Sequence, residues 1–319
     1  MPRAMYIHIP FCEHICHYCD FNKVFLKGQP VDEYVRALES EMAMTISEAE
    51  SSALTSIYVG GGTPTTLSSE QFKLLFQSIW RHFKQWSDSI EVTVEVNPGG
   101  VTERLFQMLK QLGVNRLSIG VQTFQDELLK AIGRTHTRKD VYETIKLARK
   151  VGFENLSIDL MFGLPKQSYT DFEKTIDEAL SLGVEHFSAY SLQVEEKTVF
   201  SQLLRKGKLS LPDEDEEARM YDLLRDKITS SGYQQYEISN FTKVGYKSQH
   251  NLTYWNNEEY YGFGAGAHGY LNGIRYENVG PVSHYLKAVQ QRLPRLHEHE
   301  VSIREQLEEE MFLGLRKAQ

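Results

Sequence analysis

Residues 90–96 read Ile90-Glu91-Val92-Thr93-Val94-Glu95-Val96. Successive side chains of a strand point to opposite faces. This stretch therefore predicts a strand with Ile90, Val92, Val94 and Val96 on one side and Glu91, Thr93 and Glu95 on the other. The same split recurs along the chain. Leu117, Ile119 and Val121 oppose Arg116, Ser118, Gly120 and Gln122; Leu156, Ile158 and Leu160 oppose Asn155, Ser157 and Asp159; Phe187 and Ala189 oppose His186, Ser188 and Tyr190; Ile7 and Ile9 oppose Tyr6 and His8.

These strands, with Ile57-Tyr58-Val59, alternate with helical patterns, such as the one carried by Val31, Val35, Leu38 and Met42. Six β-then-α units at roughly 40-residue spacing imply a parallel sheet with right-handed crossovers. A doubly wound sheet, covered on both faces, is usually apolar throughout its central strands. Here one face stays polar, which favours a partial (β/α)6 barrel with a hydrated lumen over the doubly wound alternative. The fold class expected is α/β.

Residues 1–231 are expected to form this barrel. Residues 232–319, rich in Tyr, Asn and Gly and including GFGAGAHGYLNG at 262–273, are expected to form a smaller accessory region of irregular structure with short strands. The chain closes on a helical pattern from Gln306 to Gln319 without a recognised stop signal, and continuation beyond it is expected. The acidic run Asp213 to Glu217 reads as a helix start, where carboxylates meet the positive end of the helix dipole.

The 319 residues are 41% hydrophobic, enough for a sizeable core, and carry a formal charge of −8. No basic stripe suggests a nucleic-acid partner. No apolar run is long enough to span a bilayer. The N-terminus MPRAMYIHIPF lacks the apolar core of a signal peptide, so a cytoplasmic location is expected.

All three cysteines fall in Cys12-Glu13-His14-Ile15-Cys16-His17-Tyr18-Cys19, directly after the first strand. An odd, clustered set of thiols suggests one soft-metal site rather than a disulfide scaffold. Three close thiolates suit three corners of a [4Fe–4S] cluster and leave one iron open. Zinc is the competing reading, with His14 or His17 as a fourth ligand, although no second cysteine knuckle exists. Gly60-Gly61-Gly62-Thr63-Pro64 follows the second strand; glycines there permit close backbone approach to a ligand. Glu95, Gln122 and Asp159 end the polar faces of three strands, at the barrel end where active sites collect.

With these motifs the chain resembles the radical S-adenosylmethionine (SAM) superfamily. Tyr6-Ile7-His8-Ile9-Pro10-Phe11-Cys12, GGGTP, Gly120-Val121-Gln122-Thr123 and Asp159-Leu160-Met161-Phe162-Gly163-Leu164-Pro165 resemble its oxygen-independent coproporphyrinogen III oxidase-like branch, over essentially the whole chain. The resemblance implies a cluster on Cys12, Cys16 and Cys19. It implies SAM contacts from Tyr6, Tyr18, Gly61, Gly62, Thr63, Glu95, Gln122, Arg134 and Asp159, with Tyr18 beside adenine and Arg134 at the methionine carboxylate. Reductive cleavage of SAM to a 5'-deoxyadenosyl radical is the chemistry it implies.

Within the branch the chain is most similar to the heme-chaperone type, HemW. It lacks the N-terminal extension of the oxidases, has Tyr18 where they usually have phenylalanine, and carries His250-Asn251-Leu252-Thr253-Tyr254-Trp255, the H-N-x-x-Y-W motif of the heme-binding type. This implies heme as a third ligand, held near His250, with His268 a second candidate. It also implies that the accessory region is truncated relative to the family. The recipient implied is a heme-requiring apoprotein, such as membrane-associated respiratory machinery. The alternative is the oxidase itself, decarboxylating coproporphyrinogen III to protoporphyrinogen IX.

Overall fold

The structure, a computed structural model, describes residues 1–48 and 52–318. Its strands are β1 (Ala4–Ile9), β2 (Phe11–Cys12), β3 (Val24–Phe25), β4 (Leu54–Gly61), β5 (Trp86–Val96), β6 (Arg116–Gln122), β7 (Asn155–Phe162) and β8 (His186–Ser191). They continue with β9 (Gln234–Glu237), β10 (Asn240–Thr242), β11 (Tyr260–Phe263), β12 (His268–Leu271), β13 (Ile274–Asn278) and β14 (Arg295–Glu300). The helices are α1 (Val31–Glu48), α2 (Ser69–His82), α3 (Glu103–Gln111), α4 (Asp126–Ala131), α5 (Arg138–Val151) and α6 (Tyr169–Ser181). After them come α7 (Val199–Arg205), α8 (Glu214–Ser230), α9 (Gln249–Trp255), α10 (Val282–Val289) and α11 (Ile303–Gly314).

The six expected strands, β1, β4, β5, β6, β7 and β8, lie side by side in that order and pair in parallel. Their apolar faces are sealed under the helices. Val92, Val94, Leu117, Ile119, Leu156 and Ile158 are buried with Val35, Leu38 and Met42 of α1 and Phe72, Phe76 and Ile79 of α2. Each such side chain contributes about 1.5–3 kcal/mol on leaving water. Capping boxes at Ser68, Thr137 and Ser168 start α2, α5 and α6, and Asp213 caps α8 ahead of its acidic first turn. The opposite faces of β4 to β8 look onto one cavity of about 550 Å³, lined among others by Tyr58, Glu95, Ser118, Asp159 and Ser188. Side chains from five neighbouring strands meet around one space only if the sheet curls, which gives the partial barrel.

The accessory region is more regular than its composition suggests. Its strands extend the barrel sheet at both edges: β10 and β9 lie beyond β8, and β11, β12, β13 and β14 lie beyond β1. β11 runs parallel to β1, with Ala4 opposite Tyr260 and Tyr6 opposite Gly262. The terminal helical pattern is α11, which stops at Gly314; Gln319 lies outside the described residues.

One buried carboxylate ties the edge strands to α1. Glu41, 2% exposed, accepts hydrogen bonds from Gly264 N (2.9 Å), Tyr285 Oη (2.6 Å) and Asn278 Nδ2 (2.6 Å). Burial pushes its carboxyl up to about 7. The folded state thus binds this proton more tightly than the unfolded chain. The associated stability is fully present below the ordinary glutamate range and is lost as pH rises through about 7. Urea midpoints should fall between pH 5 and 8, and Glu41→Gln should flatten part of that fall; an unchanged slope in the variant contradicts this role.

Candidate functional site

The cysteine loop leaves β1 at Pro10 and is zipped shut at its base. β2 pairs in parallel with β3, and Val24 N and Leu26 N donate to Pro10 O (2.8 Å) and Cys12 O (2.9 Å). Within the loop, Cys19 N donates to Cys16 O (3.3 Å), and Lys23 Nζ donates to Cys19 O (2.5 Å). The three thiols line the mouth of the lumen cavity. Burial raises the Cys12 thiol and pushes Cys19 up to about 11; positive charge in the site would be needed to hold them as thiolates. Among the described residues no three His, Cys, Asp or Glu side chains converge at single-ion distance.

His17, one possible zinc ligand, is structural. Its backbone N and ring Nδ1 donate to Ile132 O (3.0 Å) and Ala131 O (3.2 Å), and its carbonyl accepts from Phe200 N (3.1 Å). A side chain at Gly133, whose φ is 77°, would strike the His17 ring within 3.0 Å. The cysteine loop is thereby pinned to the end of α4, and the next residue, Arg134, is aimed at the loop.

Arg134 bridges two sides of the mouth. Its Nε and Nη2 donate to Tyr18 Oη (3.2 and 2.8 Å), and its Nη1 donates to Asn97 Oδ1 (2.7 Å). Asn97 Nδ2 donates to Thr63 Oγ1 (3.0 Å), which lies 3.6 Å from Cys12 Sγ. A continuous polar chain thus runs from Cys12 to Tyr18 across the cavity. Asn97 was not singled out by sequence reasoning. It continues the inward alternation of Glu91, Thr93 and Glu95 by one step, which was the available signal.

Two half-buried carboxylates, Glu95 and Asp159, line the same cavity as Arg134. Glu95 accepts from Tyr58 Oη (2.8 Å) and Gly61 N (3.0 Å), the latter at a φ of 112° that favours glycine. Burial pushes Glu95 up to about 7. Asp159 accepts from Ser118 Oγ (3.3 Å) and is pushed up to about 6 by burial, with Arg116 opposing the rise. Arg116 itself is 1% exposed, and its Nε has no partner among the described residues. Gln122 sits at a register shift between β6 and β7 with φ 69°, a bulge that turns the strand end. Paired acids and guanidiniums in one enclosed space suit a small zwitterionic ligand beside the thiols.

Cys12, Cys16, Cys19, Tyr18, Gly61, Gly62, Thr63, Glu95, Gln122, Arg134 and Asp159 all line this cavity. Tyr6 and His250 do not. Tyr6 Oη donates to His8 Nδ1 (2.9 Å) and faces a second cavity. His250 lies under the lumen, 1% exposed. Its Nδ1 bonds Ser56 Oγ (3.0 Å), its Nε2 bonds Tyr254 Oη (2.8 Å), and its ring stacks on Tyr58 with centroids 5.1 Å apart. Burial pushes the imidazole down to about 3, so it is neutral. Both ring nitrogens are thus engaged and the ring is enclosed. Of its motif, only Asn251 reaches the lumen cavity.

The pattern of the Radical SAM superfamily matches residues 6–179. The chain is 56% identical over 316 residues to the heme chaperone HemW of Bacillus subtilis, covering 99% of this chain and 83% of the relative. It is 48% identical to that of Lactococcus lactis, covering 99% and 82%. The chain belongs to the HemW family of the radical SAM superfamily. Its fold is also that of coproporphyrinogen III oxidase (HemN) from Escherichia coli, a radical SAM enzyme, with a TM-score of 0.85, 24% identity and coverage of 99% of this chain and 75% of that one. In this structure the helix that carries His250 forms a floor beneath the lumen. His250→Ala should destabilise the fold by about 2–4 kcal/mol, because it leaves two buried hydroxyls unpaired and opens a cavity. Urea unfolding checks this, and wild-type stability contradicts it.

Proposed function

We propose that this protein is a cytoplasmic heme chaperone that carries a [4Fe–4S] cluster and SAM, binds heme and delivers it to heme-requiring apoproteins, among them membrane-associated respiratory enzymes. The carrying observation is 56% identity to a curated HemW over 99% of the chain, joined to three thiols at the mouth of a polar cavity. No helix among the described residues is long and apolar enough to cross a membrane.

Cys12, Cys16 and Cys19 would hold the cluster. Gly61, Gly62, Thr63, Glu95, Gln122, Arg134, Asp159 and Tyr18 would hold SAM. When bound, the cluster supplies one electron and an iron without a protein ligand. The chain's own groups do the positioning. The Arg134 guanidinium, fixed by Asn97 and Tyr18, is placed to take a carboxylate. Glu95, held by Tyr58 and the Gly61 amide, is placed to accept from hydroxyl or ammonium groups. The floor at His250 closes the lower end against water.

In an anaerobic test, the reconstituted, heme-loaded protein should transfer heme to an apo-cytochrome, while coproporphyrinogen III offered with SAM and reductant should remain unconverted. Accumulation of protoporphyrinogen IX overturns the chaperone reading in favour of the oxidase. Asn97→Ala should weaken SAM binding roughly tenfold, the scale of one charge-assisted contact, with the cluster retained. Equal affinity by equilibrium dialysis removes Asn97 from the site.

A further inference from the structure

A run of aromatic rings leads from the lumen to the outer edge of the barrel. Tyr58 lines the lumen. The His250 ring stacks on it with centroids 5.1 Å apart, and Tyr254 meets His250 edge-on at 4.9 Å. His250 and Tyr254 stand four residues apart on α9, so they share one face of that helix. Tyr260 of β11 then meets Tyr254 edge-on at 4.7 Å. Tyr6 forms a branch, 6.1 Å from Tyr58 and 6.4 Å from His250. All five separations fall in the range of about 4.5–7 Å for aromatic contact. Tyr6, Tyr254 and Tyr260 border a second cavity of about 680 Å³ outside the lumen.

Packing alone does not require bases, yet three of these four phenols have one. Tyr6 Oη donates to His8 Nδ1 (2.9 Å), whose Nε2–H is given to Asn22 O (2.7 Å). Tyr58 Oη donates to Glu95 Oε1 (2.8 Å). Tyr254 Oη lies 2.8 Å from His250 Nε2. Burial keeps these three phenols protonated and holds both imidazoles below their ordinary range, hence neutral. A phenol gives up an electron readily only when a base takes its proton in the same event. A base within about 2.6–3.2 Å is placed to do so. Tyr18 lines the same lumen, but its oxygen accepts from the Arg134 guanidinium (2.8 Å). That positive charge opposes its oxidation.

We propose that Tyr58, His250, Tyr254 and Tyr260, with Tyr6 as a second exit, form a relay that carries an oxidising equivalent out of the lumen to a soluble thiol. Its use rests on the reading of the lumen as a cluster and SAM site. The oxidant is a carbon radical made there and not consumed by a substrate. That radical takes the hydrogen atom of the Tyr58 hydroxyl, which forms a C–H bond and leaves a phenoxyl radical. Tyr254 returns one electron to Tyr58 across the His250 ring, and its own proton passes to His250 Nε2. Tyr58 regains a proton from the Glu95 carboxyl, which burial holds at about 7 and lumen water re-protonates. Tyr260 gives an electron to Tyr254, which takes its proton back from His250, while the Tyr260 proton leaves to solvent. A thiol then gives a hydrogen atom to Tyr260 and departs as a thiyl radical. In sum, the carbon radical is reduced to a C–H bond and one thiol is oxidised. The protein is left unchanged, and its cluster loop is spared.

The test uses the cluster- and SAM-loaded full chain in deuterated water, reduced with limiting dithionite and given glutathione afterwards. Phenol hydrogens exchange with solvent, so wild type should release 5'-deoxyadenosine that carries deuterium. Tyr58→Phe keeps the ring and should lower the labelled fraction at least fivefold. In wild type, electron paramagnetic resonance should show a tyrosyl signal that glutathione removes. Tyr6→Phe combined with Tyr254→Phe closes both exits; it should keep the label and slow removal of the signal at least tenfold. A merely structural role for these rings would move neither the label nor the decay. An unchanged labelled fraction in Tyr58→Phe, or an unchanged decay in the double variant, overturns the relay and leaves the cluster and SAM reading standing. A wild type that releases no 5'-deoxyadenosine overturns both.

Discussion

Glu91 makes the lumen a one-ended space. Its carboxylate, buried on the inner face of β5, accepts from Ser248 Oγ (3.1 Å), Gln249 N (3.1 Å) and His250 N (3.2 Å). A carboxylate at a helix start satisfies amides that have no partner within the helix and meets the positive end of its dipole. Here that helix, α9, is drawn beneath the sheet. His250 and Tyr58 then stack under the cavity, and Asn251 becomes part of its floor. A carboxylate on an inward face would cost several kcal/mol if left unpaired; α9 removes that cost and covers one end of the lumen in the same contact.

The other end of the lumen is organised by rigidity in the cysteine loop. Fifteen or so residues with three thiols would be mobile if held only at their ends. Instead the base is zipped by β2 and β3, His17 is anchored to α4, and Tyr18 is held by Arg134. Thiol positions are thereby set by the protein before any ligand enters, which lowers the ordering cost on binding. The same anchors place Arg134, Asn97 and Thr63, so the thiol end and the charged end of the site share one scaffold.

Much of this was legible in the sequence. Alternation in Ile90 to Val96 and in its sister strands separates inside from outside because the period of a strand is fixed. The spacing of Cys12, Cys16 and Cys19 places three donors within one loop. Their grouping with Glu95, Gln122 and Asp159 follows from parallel strands, whose C-terminal ends share one edge. Asn97 was readable by extending β5 one residue inward. The position of His250 was not, because its partners Ser56 and Glu91 lie 194 and 159 residues away in the chain and no local pattern encodes such a pairing. Nor was the fate of residues 232–318, whose short strands gain regularity only by adding to sheet edges that already exist.

The function of the whole site depends on three thiols holding an open cluster. Mössbauer spectra of anaerobically reconstituted protein, recorded with and without SAM, address it. The prediction is four irons per chain, one of which changes its spectrum when SAM is added because it has no protein ligand. A site that takes up a single zinc, or a cluster whose irons are all indifferent to SAM, contradicts it.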